Sequence, residues 1–257
     1  MSNSKSSQRR VPIAVALTLM ISASFWSGAV AAQENNNWEF RITPYLWMLG
    51  LDGTTAALGS DLEVDASFGD ILDVLNIALS ANMELSKGKF FVVFDPMYAQ
   101  LEADFVGPGG GGGPVGGVID IDMIIADLNV GYTVNENFGL YAGMRYYDQD
   151  LGLTPNLLPP VSLGDDWTDF IVGFRVGTEI SDKWSFMGKL DGAVGGDSDS
   201  AFYVQAVMAR HFGSNKHLDL GWRYYDVDYE SGSGPTRFKW DVAHSGPVVG
   251  FSWEFGG

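Results

Sequence analysis

Three histidines are the residues of this 257-residue chain best suited to acid–base chemistry, and the chain has no cysteine. His211 and His217 flank a short polar segment, while His244 is followed directly by Ser245. Neighbouring residues of a strand point to opposite faces, so His244 and Ser245 could not act together as a hydrolytic pair. The absence of cysteine excludes disulfides, thiolate zinc sites and a cysteine nucleophile. We therefore expect no catalytic residue, no cofactor, no metal site and a protein that is not an enzyme.

Charged residues form a second pattern, because many of them recur on one face of runs that alternate in polarity. Arg145 and Arg223 occupy equal places in two copies of a Gly-x-Arg-Tyr-Tyr-Asp stretch, at 143–148 and 221–226. An arginine that faces a narrow interior needs a carboxylate partner, since its charge is poorly solvated there. The predicted interior network consists of Arg41, Asp127, Arg145, Asp169, Arg175, Lys189, Asp191, Asp219 and Arg223. It could line a selective passage, or it could fill the interior with ion pairs.

The runs that carry these charges alternate with a period of two residues, which is typical of β-strands with one apolar face. Short turns and longer connections follow one another in strict order, so all the short turns fall at one end. The pattern predicts an all-β fold, a ten-stranded antiparallel up-and-down β-barrel. The expected strands lie near 38–52, 76–86, 89–104, 118–133, 138–149, 167–181, 184–195, 201–212, 217–230 and 239–255.

The two faces of these strands indicate which side of the barrel meets water. Soluble ligand-binding barrels turn the apolar face inward, whereas membrane barrels turn it outward. Here the polar face carries glycine with Arg, Asp and Glu, as a narrow charged lumen requires. The apolar face ends in aromatic residues, which is typical of the interfacial girdles of a membrane barrel. These aromatic residues are Trp38, Phe138, Tyr146, Trp184, Phe212, Trp222, Tyr224, Trp253 and Phe255. We therefore expect a transmembrane barrel.

At this point the chain resembles the small outer-membrane β-barrel proteins of Gram-negative bacteria. The resemblance runs from the opening Trp38-Glu39-Phe40-Arg41 and Pro44-Tyr45-Leu46-Trp47 to the closing strand at 246–255. That closing strand looks like the family's C-terminal assembly signal, although it ends on Phe255-Gly256-Gly257 and not on Phe itself. The resemblance implies outer-membrane lipid and the barrel-assembly machinery as partners. It is specific for architecture and weak for function.

The N-terminus has the order of a secretory signal peptide. Lys5, Arg9 and Arg10 precede an apolar run that starts at Val11, and Ala29-Val30-Ala31 forms a small-residue cleavage site. We expect residues 1–31 to be a cleaved Sec signal peptide and residues 32–257 to form the barrel domain. The alternative is an uncleaved anchor helix, because the apolar run is nearly long enough to span a bilayer. No later segment has 18 unbroken apolar residues, so no transmembrane helix is expected in the mature chain.

Composition limits the partners and the state of the chain. The net charge is −17, which argues against nucleic acid as a partner because phosphate binding needs clustered Lys and Arg. An aromatic content of 13% excludes an acidic disordered protein. The acids cluster in the longer connections, where divalent cations could bridge them to lipopolysaccharide; no calcium-loop spacing is present, and a solvated rim is the alternative.

Two further segments bear on the interior. Phe68, Ile71, Leu72 and Leu75 have helical spacing after Ser67, which predicts a short helix over 67–75, either across the mouth or packed in a loop. If Asp127 faces inward, parity also turns Ile119, Ile121, Met123 and Ile125 inward. The outer half of the lumen would then be apolar and would suit a hydrophobic ligand.

The leading functional prediction is a membrane-embedded barrel that acts as a narrow porin-like channel. The first alternative is a structural or surface-interaction barrel with a closed lumen, and the second is a soluble barrel that binds an apolar ligand. Ten-stranded outer-membrane proteases carry paired aspartates and an Asp–His dyad at the outer rim. The rim acids Asp120, Asp122, Asp226 and Asp228 have no histidine beside them in sequence, which disfavours that activity.

Overall fold

The computed structural model describes residues 37–57, 60–108, 114–156 and 160–256. The predicted signal peptide, residues 1–31, lies outside these ranges. No helix among the described residues has the length and apolar character needed to cross a membrane.

Within these ranges, the fold consists of antiparallel strands with one short α-helix and one 3₁₀ turn. Its elements are β1 (Trp38–Trp47), β2 (Gly50–Ala57), β3 (Ser60–Ala66), α1 (Phe68–Val74), β4 (Leu75–Lys87), β5 (Phe90–Pro108), β6 (Pro114–Asn135), β7 (Phe138–Pro155), β8 (Val161–Ser181), β9 (Trp184–Gly196), β10 (Ser200–His211), β11 (Lys216–Ser231), a 3₁₀ turn (Gly234–Thr236) and β12 (Phe238–Gly256).

The strands close into a barrel because β1 pairs with both β4 and β12. Each strand from β4 to β12 pairs with the next along the chain, which is the up-and-down order that the alternating turns predict. Trp38 lies opposite Lys87, and Glu39 lies opposite Gly256, so both ends of the described barrel lie at the short-turn end. The ten-stranded antiparallel barrel predicted from sequence is confirmed, with twelve strand segments forming ten positions around the wall.

The first two of the ten strands of the barrel wall are each broken into two segments, β1 with β2 and β3 with β4. The sequence did not predict these breaks. β1 and β2 continue one another along β12, and the Met48 amide donates to the Pro247 carbonyl at the break, at 2.8 Å. β2 forms a hairpin with β3, and α1 then leads into β4. The segment 53–75, expected as a long connection, therefore contains most of a hairpin and a helix. Much of 105–117 and 150–166 is strand as well, because β5 to β8 extend well past the predicted ends.

Helix α1 starts where the sequence placed it, at a capping box. The Ser67 hydroxyl accepts from the Asp70 amide at 3.3 Å, and the Asp70 carboxylate accepts from the Ser67 amide at 2.9 Å. Ile71 is the buried residue of the helix and packs into the apolar cluster inside the barrel. The helix thus joins β3 to β4 with one side turned into the barrel, since a seven-residue helix cannot hold its shape without tertiary packing.

Burial alternates along the strands as the sequence pattern predicts. On β8, Ile171 is 1% exposed while its neighbours Phe170 and Val172 are 55% and 46% exposed. Large apolar side chains therefore cover the outer surface, and charged, polar and aromatic side chains fill the inside. Such an arrangement is stable only where the outer face does not meet water, because exposed apolar area on this scale is otherwise costly.

Candidate functional site

The barrel interior is the candidate site, and a belt of buried charges crosses its middle. Arg145 on β7 is 1% exposed and donates to both carboxylate oxygens of Asp127, at 2.6 and 2.8 Å. Its second partner is Asp191 on β9, 3.1 Å away, which also accepts from the Tyr141 hydroxyl at 2.8 Å. Asp127 and Arg145 face each other in the β6–β7 register, so their pairing follows from neighbouring strands, whereas Asp191 reaches Arg145 from two strands away.

Arg223 forms the second half of the belt. It donates to the Tyr45 hydroxyl at 2.8 Å and lies 3.4 Å from Asp95, which also accepts from Tyr45 at 2.7 Å. The guanidinium lies over the rings of Tyr45 and Trp47, at 4.6 and 5.1 Å from their centroids. A buried ion pair with further hydrogen bonds is costly to break, because loss of either partner leaves an uncompensated charge.

The remaining members of the predicted network lie elsewhere in the interior. Asp169 lies opposite Arg145 in the β7–β8 register, but it accepts from the amides of Asp197 and Ser198 and forms no ion pair within the described ranges. Asp219 accepts from Ser252 at 2.5 Å. Arg41 and Arg175 share Glu84, each at 2.8 Å. The structure thus places Asp127, Arg145, Asp191 and Arg223 in the belt, Arg41, Arg175 and Asp219 in a polar region nearer the short turns, and Asp169 at the longer β9–β10 connection. Lys189 lies over the rings of Tyr141 and Tyr203. Asp95, Glu84 and Tyr45 are further partners in these groups.

Above the belt, towards the longer connections, stacked rings fill the lumen. This ring column consists of Tyr229, Trp167, Tyr147, Tyr225 and His244. Trp167 stacks on Tyr229 at 4.1 Å with an angle of 2° between the rings, and on Tyr147 at 4.8 Å. The Tyr225 hydroxyl donates to that of Tyr147, and its ring lies 5.4 Å from His244. Met123 and Ile125 also face inward, so the outer half of the lumen is apolar as predicted, but side chains occupy it.

Where the belt meets the column, the interior is nearly filled. The Arg145 guanidinium lies 5.0 Å from the centroid of the Tyr225 ring. The void at this level has a volume of about 20 Å³ and is lined by belt residues together with Met97 and Ile125. A void of this size has room for about one water molecule.

Below the belt, a cavity of about 210 Å³ occupies the short-turn half of the barrel. We call it the vestibule. Its outer rim includes Glu179 and Glu254, whose side chains are 75% and 44% exposed, so it opens towards the solvent at that end. Its inner end reaches Arg223 and Asn129. Polar and charged side chains predominate at the rim, and Phe91, Val93 and Val207 line part of the wall.

Two of the three histidines lie at the vestibule, and the third is sealed in the ring column. His211 and His217 lie with ring centroids 5.3 Å apart, and His211 Nε2 is 2.9 Å from the Ser185 hydroxyl. The Ser185–His211 contact was not predicted, although strand pairing between β9 and β10 brings the two residues to one face. His244 is fully buried. No group of three or more His, Asp or Glu side chains within the described ranges is arranged to hold a metal ion.

At the opposite end, Arg237 links two segments of the rim. It donates to both carboxylate oxygens of Glu230, at 2.8 and 3.0 Å, and to Asp61 on β3. These hydrogen bonds hold the pKa values of the Glu230 and Asp61 carboxyls below their usual range. Because the groups are exposed, the contacts orient the rim more than they stabilise it.

A closed antiparallel barrel with ten wall positions, apolar outside and charged inside, is an outer-membrane β-barrel fold. The structure is similar to the outer membrane protease OmpT from Escherichia coli, with a TM-score of 0.60 and 9% identity over 90% of this chain and 99% of that one. It also matches the translocator domain of the autotransporter NalP from Neisseria meningitidis (TM-score 0.45, 11% identity, 88% and 90% covered). Another match is Ail, the attachment invasion locus protein of Yersinia pestis (TM-score 0.35, 10% identity, 86% and 99% covered). No protein-family model and no curated protein matches the chain.

The likeness to OmpT confirms the outer-membrane barrel fold and corrects one prediction. The expectation that the chain is not an enzyme is contradicted, because the fold is shared with a protease. At 9% identity the likeness shows the fold alone, and a fold does not determine an activity. Neither an enzymatic nor a non-enzymatic role therefore follows from the fold.

Proposed function

We propose that this protein is an outer-membrane β-barrel of a Gram-negative bacterium with a closed lumen. In this proposal residues 1–31 are removed as a Sec signal peptide and the barrel does not conduct solutes between its two ends. The apolar outer surface supports the membrane assignment, since Leu140, Val130 and Phe170 are each at least 50% exposed. The proposal favours the closed barrel over the narrow porin-like channel and over a soluble barrel.

One observation carries the closed lumen: Arg145 is buried between Asp127, Asp191 and the ring column. A conducting pore needs a continuous aqueous path, and a guanidinium in such a path would be hydrated. Here the guanidinium is 1% exposed, and the void beside it has room for about one water molecule. The belt and the column therefore act as a plug made of the barrel's own side chains.

Conductance of the refolded mature chain tests this proposal. In planar lipid bilayers we expect no stepwise current from the wild type. The double variant Arg145→Ala/Tyr225→Ala removes the two side chains that meet at the narrowest level, and we expect it to conduct. The matched control Leu140→Ala changes an outward-facing residue and should stay silent. Wild-type current steps whose ion selectivity shifts in Arg145→Ala would contradict the plug, and solubility of the refolded chain without detergent would contradict the membrane assignment.

The partners that we propose follow from the membrane assignment. Outer-membrane lipid would contact the apolar band, lipopolysaccharide would lie at the acidic rim, and the barrel-assembly machinery would engage β12. In support, Phe251, Trp253 and Phe255 alternate outward along the last strand. Crosslinking from position 253 during assembly tests the last of these, with position 252, which faces inward, as the control.

A further inference from the structure

The vestibule contains a base that forms no direct ion pair with any carboxylate of the described residues. Lys189 lines its wall, and its ammonium lies 5.5 and 5.4 Å from the ring centroids of Tyr141 and Tyr203. The vestibule arginines all have carboxylate partners: Arg41 pairs with Glu84 and Glu254, Arg175 shares Glu84, and Arg223 pairs with Asp95. Within the described part of the chain, no carboxylate forms an ion pair with Lys189. The inner wall of the vestibule thus carries one ammonium group that no carboxylate contacts directly, and Asp127 and Asp191 of the belt attract it from a longer distance.

Further hydrogen-bond donors stand beside this charge. Lys189, Gln205 and Arg223 are register partners on β9, β10 and β11, so they form one row across three neighbouring strands. Gln205 uses its Oε1 to accept from the Tyr203 hydroxyl at 3.0 Å, which leaves its amino group to donate. The Nε of Arg223 is buried and has no hydrogen-bond partner among the described residues. The row is therefore rich in N–H groups and poor in acceptors.

Asn129 lines the same vestibule from β6 and adds a second, independent observation. Its side chain is 1% exposed, and neither its amide oxygen nor its amide nitrogen has a hydrogen-bond partner within the described ranges. Space for the amide exists because its neighbour on β7 is Gly143, where an added Cβ would lie 2.2 Å from the Asn129 oxygen. Burial of an unpaired amide is costly, so a bound polar group that pairs with it is favoured.

We propose that the inner end of the vestibule binds the carboxylate of a small organic acid that enters from the short-turn end. Lys189 supplies the charge, and Gln205 and Asn129 supply neutral donors, as carboxylate recognition requires. Phe91, Val93 and Val207 give the wall an apolar part for the body of the acid. The volume of about 210 Å³ exceeds that of a cavity that holds benzene, so an aromatic or short aliphatic acid fits.

Binding of benzoate to the full mature barrel in detergent tests this site. We expect saturable binding by isothermal titration calorimetry, with benzamide, the neutral isostere, binding at least about tenfold more weakly. Lys189→Gln should weaken benzoate binding by about tenfold or more, while Lys189→Arg should retain most of it. Asn129→Leu should weaken it too, and near-ultraviolet circular dichroism checks that each variant is folded.

The controls distinguish this site from a general attraction of anions. Arg210→Gln removes an outward base that lies over the rings of Trp184 and Phe212, and it should leave benzoate affinity unchanged. The proposal is overturned if wild type does not bind benzoate, if benzamide binds equally well, or if Lys189→Gln binds as tightly as wild type. Inorganic phosphate that displaces benzoate at equal concentration would indicate a simple ion site and would overturn the organic-acid assignment.

Discussion

At the scale of single residues, the belt depends on one arginine that serves two carboxylates. Asp127 and Asp191 are 8% and 0% exposed in their side chains, so water does little to solvate them. Their mutual repulsion is balanced by the guanidinium between them, which binds Asp127 in a bidentate manner. Such a cluster adds little net stability over an apolar core, but it becomes strongly unfavourable when a single member is removed.

Replacement of Arg145 by Met should therefore destabilise the barrel by about 3–5 kcal/mol, because two buried acids lose their counter-charge. Denaturant unfolding followed by tryptophan fluorescence measures the change. Arg210→Met removes an outward arginine and should cost less than about 1 kcal/mol. Addition of Asp127→Asn and Asp191→Asn to Arg145→Met should recover much of the loss. A change below about 1 kcal/mol in Arg145→Met would show that the cluster is hydrated and would contradict the plug.

At the scale of elements, α1 is the part of the wall that is not held by a strand ladder. Its N-terminus relies on the reciprocal hydrogen bonds of Ser67 and Asp70, and these bonds lower the pKa of the Asp70 carboxyl from its usual 3.8. A carboxyl whose pKa is lower in the folded state stabilises the fold above its unfolded pKa. That contribution is lost as the pH falls through the folded value.

We expect amide exchange at 70–72 to accelerate as the pH is lowered below about 4, beyond the intrinsic pH dependence of exchange. Asp70→Asn should remove this additional dependence. Ser67→Ala should raise the exchange rate at every pH, since loss of an N-cap typically costs about 0.5–2 kcal/mol. Exchange that follows the same pH profile in wild type and Asp70→Asn would contradict a role for the ionised cap.

Glycines let neighbouring strands carry bulky interior groups. An added Cβ at Gly173 on β8 would lie 2.5 Å from the Asp191 Cβ and 2.5 Å from the Leu190 carbonyl oxygen. Gly173→Ala should therefore destabilise the barrel by about 1–3 kcal/mol through overpacking. Gly195 on β9 has nothing within 4 Å of an added Cβ, so Gly195→Ala should be nearly neutral. Equal midpoints of denaturant unfolding for the two variants would contradict the close packing around Asp191.

At the scale of the whole molecule, the outer and inner faces of the barrel suit different surroundings. The outer face is apolar, whereas the interior holds ion pairs and hydrogen bonds that need no lipid contact. The closed ladder leaves no free sheet edge around most of the wall, and this is the condition that a strand must meet to cross a bilayer. In a membrane the apolar outer face would contact lipid, and the fold would be more stable there than in water.

Val172→Lys places a charge on the outer face at a residue that is 46% exposed. If the barrel spans a membrane with this residue near the midplane, the change should cost about 2–4 kcal/mol in lipid. Reversible unfolding from phospholipid vesicles measures it, and Glu179→Lys at the vestibule rim is the control that adds positive charge away from lipid. A silent Val172→Lys in vesicles would contradict the outward lipid face.

Much of the fold could be predicted from sequence because its determinants are local. A period of two residues assigns each side chain to a face, and turn length assigns each connection to an end, so β4 to β12 followed from alternation alone. The Ser67 cap also lies within a few residues of the helix that it starts. The breaks between β1 and β4 could not be predicted from the local pattern. Their positions depend on the pairing of β2 with β12 and of β4 with β5, and β12 lies far away in sequence.

The sequence by itself determined which residues face inward, including Arg145, Arg223 and Lys189, because parity along a strand is a local property. Only the tertiary structure decided their partners: Asp191 reaches Arg145 across two strands, and Asp95 meets Arg223 across the lumen. Barrel closure and strand stagger set those distances, and neither is encoded in a single strand. For the same reason Lys189 forms no direct ion pair, and the Asn129 amide has no hydrogen-bond partner, among the described residues, although parity turns both side chains inward.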